Sequence, residues 1–311
     1  MLRVGTRGVV AVDIGSSAVK LVEARGNRVV AAGIREVGFR LREGMSPRDA
    51  TVATIQDLLA ETGISARRAV GIVQGPSTAL LRLIVPRMPA NELRRAIRWE
   101  AQKVLAFSPD NAILAHHVVG EVVDRDGIPK LAVLLAAMES QYAAEVVGIL
   151  RAAGMEPMGL TVVPAALAHL SRIGAIATEP DRVWALVDIG AEATHLLFFR
   201  GAELLLAREI GTGGRAITQA MAAAVMVEGQ RVQFDVDQAE ALKRVHGIPV
   251  PSEASHQTEG IPLGQLGAMI QPALERLVVE IRRSFTYHQE RTGSPPPTRL
   301  ILSGGTAQLP N

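Results

Sequence analysis

The sequence predicts an α/β protein in which one β-rich unit occurs twice, with a separate α/β block inserted into the first half. Three observations predict this. Val12-Asp13-Ile14-Gly15 returns as Val187-Asp188-Ile189-Gly190, and the same offset carries Ala18 onto Ala193, Leu21 onto Leu196 and the turn Arg25-Gly26 onto Arg200-Gly201. Each copy reads as an apolar strand, a turn of Gly and small residues, a second strand, a Gly turn and a third strand. Between the copies, from Thr78 onward, lies an α/β block of roughly 80 residues with no counterpart after the second.

The elements follow in order. The first β unit covers about 8–37. Ser46-Pro47 then announces a helix over 50–61 that stops at Thr62-Gly63, and 69–73 is a buried strand. In the inserted block a strand over 79–85 ends in Pro86-Arg87-Met88-Pro89, and a charged helix follows over 91–105. Strands over 113–123 and 131–137 are joined by the turn Asp126-Gly127. A helix over 140–153 and a strand over 157–162 close the block, a helix over 164–173 follows, and 178–181 is a linker. The second β unit spans about 183–210. Gly211-Thr212-Gly213-Gly214 opens a helix running to Val225, and another helix covers 237–245. The Pro/Gly/Ser-rich stretch 247–264 is expected to be a mobile surface loop. The helix over 272–290 has Leu274, Leu277, Val278, Ile281 and Phe285 on one stripe. Pro295–Pro297 breaks it, and a last strand over 299–302 enters Ser303-Gly304-Gly305.

Composition narrows the function. With 311 residues the chain accommodates two domains, each with its own core, and an apolar fraction of 48% excludes a disordered or fibrous protein. Aromatics are only 3%, so the core is built from Ala, Val, Leu and Ile. No stretch approaches the ~18 uncharged apolar residues of a membrane span, and no signal-peptide core precedes the first strand. A cytoplasmic protein without direct membrane insertion is expected. The absence of cysteine removes disulfides, thiolate nucleophiles and Cys-based zinc sites. The net charge is +2, and no basic run is interleaved with aromatics, which argues against a nucleic-acid partner. His116 and His117 alternate across a strand, while His169, His195, His246, His256 and His288 lack metal-ligand spacing. All seven read as surface or half-buried imidazoles.

The chemistry concentrates in the repeated turns. A Gly-rich turn lets backbone N–H groups approach an anion, and an Asp at the end of an apolar strand can hold a hydrated divalent cation. Two opposed turns of this kind suit a nucleoside triphosphate with magnesium. Ser303-Gly304-Gly305 after a strand is a third backbone candidate.

In this order the motifs resemble the actin-like (ribonuclease H-like) ATPase superfamily, with its duplicated βββαβα domains flanking an ATP cleft. Within it, VPRMPANELRRAIRWEAQKVLAFSPDNAIL, DIGAEATHLLFFRG and FDVDQAEALKRVHGI resemble the type IV pilus assembly protein PilM family, which is FtsA-like. The resemblance covers essentially the whole chain. It implies a first actin-like subdomain (1A) over 1–77 plus 163–177, an inserted subdomain (1C) over 78–162, and a second domain (2A/2B) over 178–311. Family members continue with a helix and further strands, so the resemblance also implies a C-terminally truncated second domain of reduced stability.

The resemblance further implies ATP with Mg2+ as cofactor. Asp13, Gly15, Ser16, Ser17 and Lys20 would form phosphate loop one, and Asp188, Gly190, Ala191 and Thr194 loop two. Asp13 and Asp188 would hold the metal through water. Gly213 and Gly214 would present a helix N-terminus to the nucleotide. Glu240 and Lys243 would flank the ribose and base, although an ordinary solvated i,i+3 pair is equally consistent with their spacing. Gly304 and Gly305 would admit the adenine. The start of the connecting helix reads Leu160-Thr161-Val162-Val163-Pro164, with no acid to orient a water, so at most slow ATP hydrolysis is expected and no catalytic residue is assigned.

As partner the resemblance implies the short cytoplasmic N-terminal peptide of an inner-membrane PilN-type protein. The peptide would lie in a groove formed by the strand 80–85 and the helix 91–105, making the protein peripheral at the inner membrane. Self-association is a further possibility. Two alternatives stay open: a metabolic kinase of the superfamily, for which Asp49, Asp57 and Asp110 are poorly placed catalytic candidates, and a nucleotide-free secretion scaffold of GspL type.

Overall fold

The computed structural model describes residues 8–310 apart from 39–43, 124–125, 177–178, 228–229, 250–255 and 259. The chain divides into two compact units, Met1–Ala175 and Ile176–Asn311.

In the first unit β1 (Val9–Ile14), β2 (Ala18–Arg25) and β3 (Arg28–Glu36) form an antiparallel meander. Helix α1 (Pro47–Thr62) follows. Its N-cap is Ser46, whose Oγ accepts from the Asp49 amide at 3.1 Å, and it ends at Gly63 with φ 65°. The helix returns the chain to β4 (Arg68–Val73), parallel to β1. The insertion leaves this sheet as β5 (Thr78–Pro86), α2 (Ala90–Val104), β6 (Ala112–Val123) and β7 (Pro129–Glu139), a three-stranded antiparallel sheet of order β5-β7-β6. Helix α3 (Ser140–Ala152) leads back to β8 (Glu156–Val162), which completes the larger sheet as β3-β2-β1-β4-β8, and α4 (Val163–Arg172) follows.

In the second unit β9 (Val183–Ile189), β10 (Thr194–Arg200) and β11 (Glu203–Ile210) repeat the meander. Helix α5 (Gly214–Met221), the hairpin β12 (Val225–Val227) and β13 (Gln230–Val232), and α6 (Val236–His246) come next. A short ladder of β14 (Gln257–Thr258) and β15 (Ile261–Pro262) precedes α7 (Leu263–Thr292). The last strand, β16 (Arg299–Ser303), lies parallel to β9 and gives the order β11-β10-β9-β16. The order β3-β2-β1-β4 in the first unit is therefore matched strand for strand in the second.

Several expectations are corrected. Helix α5 stops at Met221, and Val225 begins a hairpin instead of ending the helix. Of the predicted loop 247–264, residues 250–255 and 259 lie outside the described residues, as does Thr178 of the linker; the remainder contains the β14–β15 ladder and the start of α7. That helix begins at Leu263 and runs through Pro272 for 30 residues. Pro272 forfeits one intrahelical bond, a loss of about 3 kcal/mol. Leu263, Leu266, Ile270 and Ala273 of the same helix bury themselves against Ile217, Met221, Phe234 and Leu242. Each large apolar side chain so buried contributes about 1.5–3 kcal/mol, which outweighs the lost bond. Val278 is 46% exposed, so the buried stripe is Leu277, Ser284 and His288, with Leu274, Ile281 and Phe285 half-buried beside it.

Two histidines read as surface or half-buried groups are fully buried. His195 occupies β10, an inner strand of the four-stranded sheet, and His288 stacks on Phe198 at 4.4 Å between ring centroids. Burial, with Arg200 nearby, pushes the His288 pKa below its ordinary 6.5. The folded state therefore holds it neutral, while the unfolded chain takes up a proton as pH falls through 6.5. Its contribution is complete above that pH and is lost as pH falls toward the lowered folded value. Melting curves are expected to show a Tm decline between pH 7.5 and 5.5 that shrinks in His288→Met; an identical decline in the variant would refute this assignment.

Candidate functional site

In the first unit the β1–β2 turn places five of the predicted residues on one hairpin. Asp13 faces Lys20 across the ladder, and the Lys20 ammonium donates to the Asp13 carboxylate at 2.7 Å. The Gly15 amide donates to the Ala18 carbonyl at 3.1 Å, and a Cβ on Gly15 would sit 2.8 Å from that oxygen, so the turn closes this tightly only with glycine. Ser17 is exposed, and among the described residues the buried Ser16 hydroxyl has no hydrogen-bond partner. A buried hydroxyl left unsatisfied is costly, and the turn has a donor to offer.

The second unit repeats this geometry and adds to it. The Gly190 amide donates to the Ala193 carbonyl at 2.9 Å, and a Gly190 Cβ would again stand 2.9 Å from it. Asp188 faces His195 in the register where Asp13 faces Lys20. His195 is buried, with Nδ1 3.7 Å from Glu209, so the second copy carries no lysine against its aspartate. Among the described residues the half-buried Asp188 carboxylate has neither hydrogen bond nor ion pair.

Two glycine-bearing segments, 211–214 and 304–305, converge on this second turn. The Gly214 amide donates to the Gly190 carbonyl at 2.9 Å and the Arg215 amide to the Ala191 carbonyl at 2.7 Å. A Cβ on Gly213 would lie 2.5 Å from the Gly190 oxygen. The Thr306 hydroxyl donates to the same Gly190 carbonyl at 2.9 Å, and Thr194, fully buried, donates to the Thr212 carbonyl at 2.7 Å. Gly213 and Gly214 thus bring α5 against the turn, and the first amides of that helix are occupied by loop carbonyls. The Thr194 hydroxyl is likewise internal to the scaffold.

Glu240 and Lys243 are not a solvated pair. Lys243 is 5% exposed, and its ammonium donates to Glu240 at 2.6 Å, the Thr218 hydroxyl at 2.9 Å and the Gly214 carbonyl at 3.2 Å. Three donors meet three acceptors. Burial alone would raise the Glu240 pKa, but the hydrogen bonds from Lys243, Thr218 and Arg244 and the Lys243 charge outweigh it and hold the carboxyl below its ordinary value. The capping box of α6, with Asp235 accepting from the Asp237 and Gln238 amides, fixes the start of the helix that carries the pair.

Gly304 has φ 91°, and its Cβ would stand 2.3 Å from the Ile189 carbonyl. Gly305 has ordinary helical dihedrals and nothing within 4 Å of a Cβ position. Sequence reading missed Thr212 and Thr306, which tie glycine segments to the turn, and Thr218, which ties Gly214 to Glu240 and Lys243. Their position beside Gly211, four residues after Gly214 and directly after Gly305 was the available signal. Among the described residues no cluster of three or more His, Asp or Glu could ligate a metal directly, and no helix is long and apolar enough to cross a membrane.

These features agree with known proteins. The solved PilM–PilN type IV pilus biogenesis complex contains a chain 28% identical to this one, with TM-score 0.75, covering 96% of this chain and 82% of that one. MreB5 of Spiroplasma citri, solved with ADP, matches at TM-score 0.50 and 12% identity over 96% of this chain and 85% of its own, which establishes the actin-like fold alone. The cell division protein FtsA of Rhizobium meliloti (strain 1021) is 25% identical over 171 residues, 46% of this chain and 36% of FtsA, so the chain spans about a third of that relative. Residues 11–311 match the family described as type IV pilus assembly protein PilM, and with the duplicated sheets and paired Asp-Gly hairpins this shows that the chain belongs to the PilM family and has the actin-like fold.

Proposed function

We propose that this chain is an ATP-binding scaffold of type IV pilus assembly that works in the cytoplasm and docks the N-terminal tail of a PilN-type inner-membrane protein. The observation that carries the reading is its likeness at 28% identity, over nearly its whole length, to the PilM of a PilM–PilN complex. The proposed subdomains are 1A (1–77 and 163–177), 1C (78–162) and the second domain (178–311).

The residues present fit Mg-ATP. Ser16 offers an unpartnered hydroxyl, Asp188 an unpaired carboxylate, and Gly305 an open backbone face. In the first hairpin Lys20 would exchange Asp13 for phosphate, leaving Asp13 to hold hydrated Mg2+, and in the second hairpin Asp188 would hold hydrated Mg2+. Bound nucleotide would supply the phosphate oxygens that glycine hairpins of this kind bind. Gly213, Gly214, Thr194, Glu240 and Lys243 hold the second hairpin in shape. No acid stands at the start of α4, so turnover is slow at most.

For the tail, the three-stranded sheet offers one open face. Leu83 and Val85 of β5 pack with Leu93 and Ile97 of α2, so the helix covers the opposite side and does not line the groove with β5. The open face presents Ile84 and Ile113, which are 44% and 56% exposed, beside half-buried Leu134 and Ala136. Its middle row is Arg82, Leu134 and His117, so an extended tail would meet it with apolar side chains at the two isoleucines and polar groups between them.

Calorimetric titration with Mg-ATP is expected to show saturable binding that is lost in Asp13→Ala. A PilN-type tail peptide is expected to bind wild type and to bind Ile84→Glu at least about tenfold more weakly. Absence of nucleotide binding in wild type would leave a nucleotide-free scaffold, and equal peptide affinity in Ile84→Glu would move the tail elsewhere.

A further inference from the structure

The three-stranded sheet leaves and rejoins the first sheet through two crossings, residues 74–77 between β4 and β5 and the junction Glu139-Ser140 between β7 and α3. The buried side chains of the apolar cluster beneath it come from β5, α2 and β7 alone. No residue of β1–β4 enters that cluster, so the orientation of one sheet on the other falls to the crossings and the elements beside them.

The crossings are tied to each other. One step beyond the last β5–β7 pair, Thr78 with Met138, the Glu139 amide donates to the Ser77 carbonyl at 2.9 Å, and the Ser77 hydroxyl donates to the Glu139 carboxylate at 2.5 Å. The second bond has an ionised acceptor, which makes it about twice as strong as a neutral one. Glu139 is also the N-cap residue of α3, yet its side chain caps no amide of that helix. Its carboxylate is committed to Ser77, and the first amides of α3 offer it a favourable second position when that bond opens. Tyr142, in the first turn of α3, donates its hydroxyl to the Gln74 carbonyl at 3.2 Å and holds the other crossing.

Gly75 lies between these ties. Its φ is 109°, which side chains rarely adopt, and nothing stands within 4 Å of its Cβ position. The Thr78 amide and hydroxyl both donate to its carbonyl at 2.9 Å. The glycine is therefore required by its dihedral and not by crowding, as suits a residue about which the chain turns.

We propose that the two crossings form a latched hinge, with Gly75 as pivot and the Ser77–Glu139 pair as latch, that sets the orientation of the three-stranded sheet on the first sheet. Ile72, two residues before the entry crossing, pairs with Asp13 in the register of β1 and β4, so the hinge begins where the strand of the first glycine hairpin ends. The sheet it carries presents Ile84 and Ile113, and the hinge stands whether or not a tail binds there.

The chain has no cysteine, so Ala60→Cys in α1 and Arg95→Cys in α2, both exposed and both in the first unit, take one spin label each. Double electron resonance is expected to read one narrow distance distribution in this labelled chain. The distribution is expected to broaden or split in Ser77→Ala and in Glu139→Ala, and to shift in Gly75→Ala. Glu139→Gln, whose amide oxygen still accepts from Ser77, is expected to keep the narrow population. Circular dichroism checks that each variant folds, and Glu139→Ala carries the test if Ser77→Ala does not fold. An unchanged narrow distribution in the latch variants would overturn the proposal. So would a broad distribution in the labelled wild type, or equal broadening in Glu139→Gln and Glu139→Ala.

Discussion

Alanine at Gly304 is expected to destabilise the second unit by about 3 kcal/mol or more, while alanine at Gly305, one residue on, is expected to change stability by less than about 0.5 kcal/mol. Two costs add at Gly304. Its φ of 91° is strained for any side chain, and its Cβ would stand 2.3 Å from the carbonyl oxygen of Ile189, backbone in an inner strand that has no room to retreat. Gly305 carries neither cost. If adenine stacks where the backbone is open, Gly305→Ala still weakens Mg-ATP binding, because its methyl group occupies that face. Urea unfolding and calorimetry on both variants test this together. A stable Gly305→Ala protein that binds nucleotide like wild type would place the base elsewhere, and a stable Gly304→Ala protein would contradict the packing.

Replacing Lys243 by methionine is expected to cost about 2–3 kcal/mol. The change keeps the volume but leaves three acceptors, on Glu240, Thr218 and Gly214, facing an apolar group. Glu240 is one-third exposed and keeps Arg244 at 2.9 Å, which holds the loss below that of a fully buried pair. The variant also changes the acid limb. In wild type the Glu240 carboxyl sits below its ordinary 4.5, so its contribution is complete above that pH and disappears as pH falls through the lowered folded value. Without Lys243 two of the causes that lower this pKa are gone, so the pKa rises and the contribution at neutral pH shrinks. Unfolding midpoints at pH 7 and pH 4 measure both effects: a variant as stable as wild type at pH 7 would show that the ammonium is dispensable, and an unchanged difference between the two pH values would remove the linkage.

Much of the architecture was legible because the sequence repeats itself. The pairs Asp13/Asp188 and Gly15/Gly190 imply two like hairpins, and the structure closes both with the same bond, from the glycine amide to the carbonyl three residues on. The helix over 47–62 was announced by Ser46 and Gly63, whose capping chemistry is local. Signals of this kind depend on neighbours within a few residues, and these survive folding. Helix α7 was misread at Pro272 because a proline carries a local penalty, whereas the compensating burial of Leu263, Leu266 and Ile270 against α5 and α6 involves residues distant in sequence. The same holds for His195 and His288, whose burial depends on which strands and helices pack around them.

In the candidate site, residue types alone determined that glycines and aspartates would gather at strand ends, since tight turns and anion contacts demand them. Spacing alone left Glu240 and Lys243 either nucleotide neighbours or a solvated pair. Tertiary structure removed the solvated pair by burying the ammonium under Gly214 and Thr218, residues 29 and 25 positions away. It likewise decided that Gly213 and Gly304 serve close backbone packing, that the amides of Gly214 and Arg215 are already spent, and that Asp188, unlike Asp13, has no lysine against it. The physical reason is common to all of these. A turn, a cap or a repeat is specified by short-range sterics and hydrogen bonds written in contiguous residues, while burial, the satisfaction of a charge and the clearance around a Cβ depend on atoms that only the folded chain brings together.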